Sequence, residues 1–341
     1  MKILYAIQGT GNGHLSRAKE IIPALMNRTR VDVLVSGTQS EVSIPYPVKY
    51  KFKGISFVFG KNGGIDYWKT IRTNNIFRII KEIRACKVSE YDLVINDFEP
   101  ISAWACYFKR VSCVSLSHQC ALLSPKSPKA KKRDRFGEFI LKYYAPTIKK
   151  YGFHFKNYDK NIFPPVIRKE IRDQRIKDKK FYTVYLPSYS DEKIIKVLSK
   201  IKGIKWKVFS KHCAKAYQRK NVFVKPIKKN TFERSMAWGK GVICGAGFET
   251  PAEALFLKKK LLAIPMKGQV EQAHNAESLK QLGVPVIEKL SAKHIETIEN
   301  WVNSNEIVHL NFPDKTQYVV DKIITNHIII TELSNKILQN I

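Results

Sequence analysis

Short apolar runs recur along this chain. Each closes on a small or polar cluster and leads into residues with apolar positions three and four apart. In the first half the runs fall at 2–7, 31–35, 91–95 and 111–116. In the second they fall at 181–186, 206–209, 221–225, 242–244 and 261–264. Runs of this length bounded by turn residues predict buried strands of parallel sheets. The intervening patterns predict helices at 15–26, 65–88, 101–108, 231–238 and 314–341. Alternating short strands, mobile in part, are expected between 41 and 64, with a glycine-rich loop at 60–64. The fold class is α/β, with one strand–helix layout appearing in both halves. The 341 residues suffice for two domains. Pro164 and Pro165 stiffen the crossing at 162–168. The predicted division is 1–165, 166–318 and a terminal helical segment at 319–341.

The polar clusters sit where the strands end, which is where open α/β sheets bind ligands. The first is a glycine loop running from Gln8 through Gly11, Asn12 and Gly13 to His14, with Arg17 one turn later. Its spacing fits neither a Rossmann fingerprint nor a P-loop. A tight strand-to-helix turn explains it equally well. Neutral imidazole accepts a proton from a hydroxyl, so His14 is the candidate base, with phosphate binding or helix capping as its competing role. Asp97 either orients an imidazole, acts as base itself, or caps a helix. Glu99 and His118 are expected on the same sheet edge, with Arg17, on the acceptor side. In the second half, Ser188 and Tyr189 follow a strand and offer hydroxyl and N–H groups to a phosphate. Gly245-Ala246-Gly247 follows another, leading into Glu249, Thr250 and Glu253. The helix start offers free N–H groups to phosphate. Glu253 can accept two hydrogen bonds from a ribose diol. A last strand ends at Pro265, ahead of Glu271, Gln272 and Asn275.

The stretch 242–275 resembles the nucleotide-sugar half of GT-B glycosyltransferases, in particular the MurG-like family 28. The resemblance rests on the small-residue turn at 245–247, Glu253, Pro265, the Glu271-Gln272 pair and Asn275. The loop ending Asn12-Gly13-His14 is similar to that family's Gly-Gly-His loop. One difference is a loop after Pro265 that is a residue shorter. A second is Ser188-Tyr189-Ser190, which stands where relatives carry glycines. The resemblance implies a GT-B fold of two Rossmann-like domains facing a central cleft. It implies that Glu253 binds the ribose of a UDP-type donor, and that Glu271 and Gln272 contact the sugar. Gly11, Gly13, Ser188, Tyr189, Gly245, Ala246, Gly247, Glu249 and Thr250 complete the donor-side set. It further implies a terminal helix packing back on the first domain.

Composition adds a partner question. Lys and Arg number 60 against 29 acids, a formal charge of +31. Nucleic acid, an anionic membrane and a polyanionic substrate all fit such a surplus, as does a solvated surface of biased composition. Between 126 and 180 basic and aromatic residues interleave without a nucleic-acid motif, which favours a membrane or an anionic acceptor. The six cysteines form no CxxC pair and read as buried thiols of a reducing compartment. The opening residues break too early for a secretion signal, and no run reaches transmembrane length. A cytoplasmic protein, peripheral on the inner face of the membrane, is expected.

The expected activity is transfer of a hexose or N-acetylhexosamine from a UDP-type sugar nucleotide to a hydroxyl acceptor. Inversion is expected, with no metal and no cofactor beyond the sugar nucleotide itself. The acceptor is expected to be lipid-linked or anionic. Two other classes share the pattern. One is a non-hydrolysing UDP-sugar epimerase; the other is a non-catalytic relative that binds polyanions.

Overall fold

The computed structural model describes residues 1–37, 43–55, 72, 74–228 and 230–339, and only the backbone of 334–339. The expected glycine loop at 60–64, and the first part of the helix expected at 65–88, lie outside the described residues. The described part of that helix is Ile76–Ala85.

Two parallel sheets carry the chain. The first has seven strands: β1 (Lys2–Gln8), β2 (Arg30–Ser36), β3 (Tyr50–Phe52), β4 (Leu93–Asp97), β5 (Cys113–Ser117), β6 (Lys149–Phe153) and β7 (Ile162–Phe163). Their order is β3-β2-β1-β4-β5-β6-β7, all parallel. The second has six: β8 (Lys179–Tyr185), β9 (Trp206–Ser210), β10 (Tyr217–Arg219), β11 (Val222–Pro226), β12 (Gly239–Cys244) and β13 (Lys260–Ala263). Their order is β10-β11-β9-β8-β12-β13, and only the β10 edge is antiparallel. β6, β7 and β10 escape the periodicity reading. β6 has the sequence KKYGF, two lysines before a tyrosine and a glycine, and β7 is only two residues long.

Both sheets reverse their strand order at one place. β1 lies between β2 and β4, and β8 lies between β9 and β12. Such a reversal opens a crevice beyond the carboxyl ends of the strands. Register then sets neighbours: Ile7 pairs with Asp97, so the loop after β1 rises beside the end of β4. One cluster of buried apolar side chains runs from Ile3 and Ile95 through Val166 and Ile167 to Ala252 and Leu261. The two halves therefore share packed surface. The Thr316–Gln339 helix returns to the first half. Val319, Val320, Ile323 and Ile324 enter the shared core, Gln317 donates to Ala24 O at 3.2 Å, and Asn326 donates to the Tyr151 hydroxyl at 3.0 Å.

Among the described residues, no helix is long and apolar enough to cross a membrane. All six cysteines are free, and five are buried.

Candidate active site

The Asn12–Met26 helix begins at Gly11, whose φ of 98° suits glycine and which supplies no capping side chain. Its first turn lifts His14 and Arg17 onto the end of β4. His14 Nδ1 donates to Asp97 Oδ1 at 2.9 Å. Arg17 grips the same carboxylate, with Nη2 at 2.7 and 2.9 Å from its two oxygens and Nε at 3.2 Å. Arg17 is 2% exposed and Asp97 fully buried. Burial pushes the Asp97 pKa up, but Arg17 and His14 outweigh it and hold the carboxyl below its ordinary value. Asp97 is therefore an ionised anchor for the His14 imidazole. With its Nδ1 proton held by Asp97, the ring presents Nε2 as the acceptor. The next residue, Phe98, takes a left-handed φ of 56°. A bulky side chain rarely adopts that conformation, so the end of β4 is locally strained.

Arg17 also reaches into the other half of the chain, where Nη1 pairs with Glu249 at the start of the Glu249–Phe256 helix. Gly13 permits this approach: a Cβ there would lie 2.7 Å from Glu249 Oε2. The Glu249–Phe256 helix, like Asn12–Met26, has no side-chain cap. Two helix starts without side-chain caps thus face each other across the cleft, a pairing suited to anions.

Between them lies a cavity of about 330 Å³. Asn12, Gly13, Ser16 and Lys19 line one side, with Ser43. Tyr185, Ile227, Phe232, Glu249, Thr250 and Glu253 line the other. Arg168, from the crossing between the halves, binds Glu253 in a two-point ion pair, Nε to Oε1 at 2.6 Å and Nη2 to Oε2 at 2.9 Å. Its Nη1 donates to Glu233 at 3.1 Å. Burial raises the Glu253 pKa above the usual carboxyl value, with Arg168 opposing.

A second set of contacts bridges the halves beside His14. Gln119 Nε2 donates to Glu271 Oε2 at 2.9 Å and stands 3.3 Å from His14 Nε2. Burial raises the Glu271 pKa, with His14 opposing. His118 stacks on Phe248 at 3.8 Å with planes 3° apart. Its Nδ1 lies 2.8 Å from Phe153 O and its Nε2 2.8 Å from the Asn275 side-chain amide. Burial lowers the His118 pKa to about 3. A neutral ring has one N–H, so Nδ1 donates to the carbonyl and the amide serves Nε2 best with its NH₂ turned inward.

A family profile described as Glycosyl transferase family 1 matches residues 1–304. The chain belongs to that family. It is a glycosyltransferase, as the profile and the fold agree. MurG of Acinetobacter baumannii superposes with a TM-score of 0.56 at 15% identity, over 95% of this chain and 100% of that one. The spinosyn forosaminyltransferase SpnP superposes at 0.55 and 11% identity, over 99% of each chain. Staphylococcus aureus MnaA, solved with UDP, superposes at 0.57 and 9% identity, over 96% of this chain and 95% of that one. These likenesses show a GT-B fold with two Rossmann-like sheets, in agreement with the MurG-like resemblance. No curated protein matches the chain at a significant level of sequence similarity.

The fold brings His14, Asp97, Arg17, Glu249, Gln119 and Glu271 into one network and places Gly13, Thr250 and Glu253 on the cavity. Gln272 turns to the backbone, its Oε1 accepting from Met266 N at 2.9 Å. A Cβ on Gly245 would stand 3.4 Å from that oxygen, while Ala246 is buried and Gly247 faces open space. Ser188 and Tyr189 do not line the cavity, and the Tyr189 hydroxyl accepts from Leu290 N at 3.1 Å. Glu99, expected on the acceptor side, is fully buried as an N-cap. It accepts from Ile101 N and Ser102 N, both at 2.7 Å, because the Pro100–Lys109 helix leaves those donors unpaired. His118 is likewise enclosed between the halves. Arg168 and Glu233 were not marked in the sequence. The one local signal is an arginine at the end of the Pro-rich crossing at 162–168.

Proposed function

We propose that the chain transfers a sugar from a UDP-type nucleotide sugar to a hydroxyl acceptor, with inversion and without a metal. The observation that carries this reading is the His14–Asp97 pair, 2.9 Å apart, beside a cavity framed by two uncapped helix starts and closed by Glu253. In the reaction, Nε2 of His14 takes the proton of the acceptor hydroxyl as its oxygen bonds to the anomeric carbon. The bond from that carbon to the diphosphate breaks, and its electron pair leaves on the phosphate oxygen. The N-terminal ends of the Asn12–Met26 and Glu249–Phe256 helices, neither with a side-chain cap, meet the charge with Lys19. Glu253 accepts from the ribose hydroxyls, and Ile227 packs on the base. Gln119 must turn away from Nε2 when the acceptor enters.

The acceptor side is proposed to sit against an anionic lipid surface, with a lipid-linked or anionic acceptor. Phe139 is 58% and Ile148 76% exposed, and Phe136 is half exposed, amid Lys131, Lys132, Arg133, Arg135 and Lys142. Apolar anchors in a basic field suit such a surface. Flotation with vesicles containing phosphatidylglycerol, compared with neutral vesicles, tests it. Flotation unaffected by Phe136→Glu/Phe139→Glu would remove this face from consideration.

Donor binding is tested by calorimetry with UDP. Glu253→Ala should lose at least tenfold in affinity, and unchanged affinity would defeat the donor assignment. Incubating UDP-N-acetylglucosamine without acceptor separates the epimerase alternative, since an interconverted sugar nucleotide would favour it. Polyanion binding that survives Glu253→Ala, with no nucleotide binding at all, would favour the non-catalytic alternative.

A further inference from the structure

A second cavity, of about 430 Å³, opens at the other end of the second sheet, where β8, β12 and β13 begin. It is remote from the cleft, which lies past the ends of the same strands. Five lysines line it, Lys177, Lys240, Lys258, Lys259 and Lys260, and Asp178 is the one acid among its lining residues. Among the described residues none of the five forms an ion pair with a carboxylate.

Two of them are buried, Lys259 at 4% and Lys260 at 7% exposure. Their ammonium groups rest on neutral groups: backbone oxygens for both, with the Trp301 and Tyr182 rings 5.4 and 5.9 Å from the Lys260 nitrogen. Lys259 donates to Lys177 O at 2.5 Å, and Lys260 donates to Val302 O at 2.8 Å and to Ser304 O. The last two carbonyls belong to the end of the Ile295–Asn303 helix, whose dipole offsets part of one charge. Burial pulls both lysine pKa values down; Asp178 opposes this at Lys259, and Lys240 adds repulsion at Lys260. The run 258–260 is presented by a turn in which Lys258 takes a left-handed φ of 53°, a conformation a lysine rarely adopts. Buried ammonium groups without carboxylate partners are costly. An anion entering the cavity relieves that cost.

We propose that this cavity binds a multiply charged phosphate compound, a triphosphate or diphosphate chain. The surplus of five lysines over one aspartate matches about three to four negative charges, more than a single phosphate carries. Lysines act as compact point charges and suit phosphate without a fixed planar geometry. The site is independent of the transfer reading, because none of its residues reaches the cleft.

The test is calorimetry on the full chain at about 0.15 M salt, where surface charges are screened beyond roughly 8 Å. The probe is inorganic tripolyphosphate with no nucleotide present, and the lysine variants separate this cavity from the cleft. Lys240→Glu/Lys258→Glu, at two exposed positions, should weaken tripolyphosphate at least tenfold and leave the ligand-free melting temperature near that of the parent. Lys240→Gln/Lys258→Gln should weaken it in the same direction. Lys81→Glu/Lys87→Glu, an equal charge change at exposed positions outside both proposed sites, should have little effect. A parallel titration with adenosine triphosphate identifies the source: equal affinity means that only the phosphate chain is read, and tighter binding means that a nucleoside carries it. Absence of tripolyphosphate binding, or equal losses in the control variant, would overturn the site and reduce it to the general field of a +31 chain.

Discussion

Arg17 and Asp97 form a buried ion pair in which one guanidinium nitrogen lies 2.7 and 2.9 Å from the two carboxylate oxygens. The pair stands between the proposed base and the other half of the chain, because Asp97 also accepts from His14 and Arg17 also reaches Glu249. Two tasks meet in it: fixing the imidazole and joining the two sheets. Removing Arg17 leaves the buried Asp97 carboxylate with His14 as its remaining cation-side partner, a loss of about 3–5 kcal/mol. Arg17→Met is accordingly expected to lower the melting temperature sharply. Arg17→Met/Asp97→Asn should recover part of that stability without recovering turnover. A double variant no more stable than Arg17→Met would contradict the charge-matching explanation.

Asp97→Asn keeps the shape and replaces the anion with an amide. It is expected to lower kcat by about 10²–10⁴-fold by disturbing the His14 tautomer, while UDP affinity stays within about twofold. Steady-state kinetics beside UDP titration reads both. Loss of affinity together with rate would place Asp97 in donor binding instead.

The Arg168–Glu253 pair predicts a coupled response at the donor cavity. Arg168→Lys keeps the charge but loses the two-point grip, so UDP affinity should fall severalfold. Arg168→Ala should be worse and should also destabilise the fold, since Glu253 and Glu233 are both buried. A series in which Lys and Ala behave alike would argue that geometry, and not charge, is what Arg168 supplies.

Acid should loosen the seam between the halves. His118 and His154 are buried on the first half and His274 on the second, and burial lowers all three pKa values, His118 to about 3. His274 Nδ1 accepts from Ala130 N at 2.9 Å, and His154 Nε2 lies 3.4 Å from Ser278 Oγ, so each touches the opposite half. A depressed folded pKa means that the unfolded chain binds more protons as pH falls below about 6.5. Stability is fully present above that value and is lost progressively toward pH 3 for His118. The expected slope is on the order of 1 kcal/mol per pH unit for each histidine. Calorimetric melting from pH 8 to pH 5 should show a falling melting temperature, and His118→Phe should flatten it. A level profile in the parent chain would refute the assignment.

Two glycines should differ in their tolerance of alanine. A Cβ at Gly13 meets the carboxylate end of Glu249, which can move at the expense of Arg17. A Cβ at Gly152 meets Ala121 Cβ, N and Cα at 2.7–2.9 Å, where backbone must shift. Gly152→Ala is expected to cost about 1–3 kcal/mol and Gly13→Ala less, with the Gly13 change felt mainly in turnover. Denaturant melts of both variants give the order, and the reverse order would contradict it.

Apolar runs alone determined that this chain is α/β with two parallel sheets, because strands buried on both faces leave uninterrupted hydrophobic stretches between polar turns. β6 and β7 were illegible for the opposite reason, having lysines or too few residues to form such a stretch. The clusters at 11–14, 97, 245–253 and 271–275 were legible because a parallel sheet places every strand-to-helix turn on one edge. Local pattern could not show what those side chains do there. Glu99 and Asp97 are two residues apart on one strand end, yet one caps a helix and the other anchors His14. Only the β1–β4 register and the closure of one half on the other decide that, by settling which donors each carboxylate meets. Arg168, Glu233 and the lysine cavity belong to the same class. Their partners are distant in sequence, and a charge acquires a role only when folding removes the water around it.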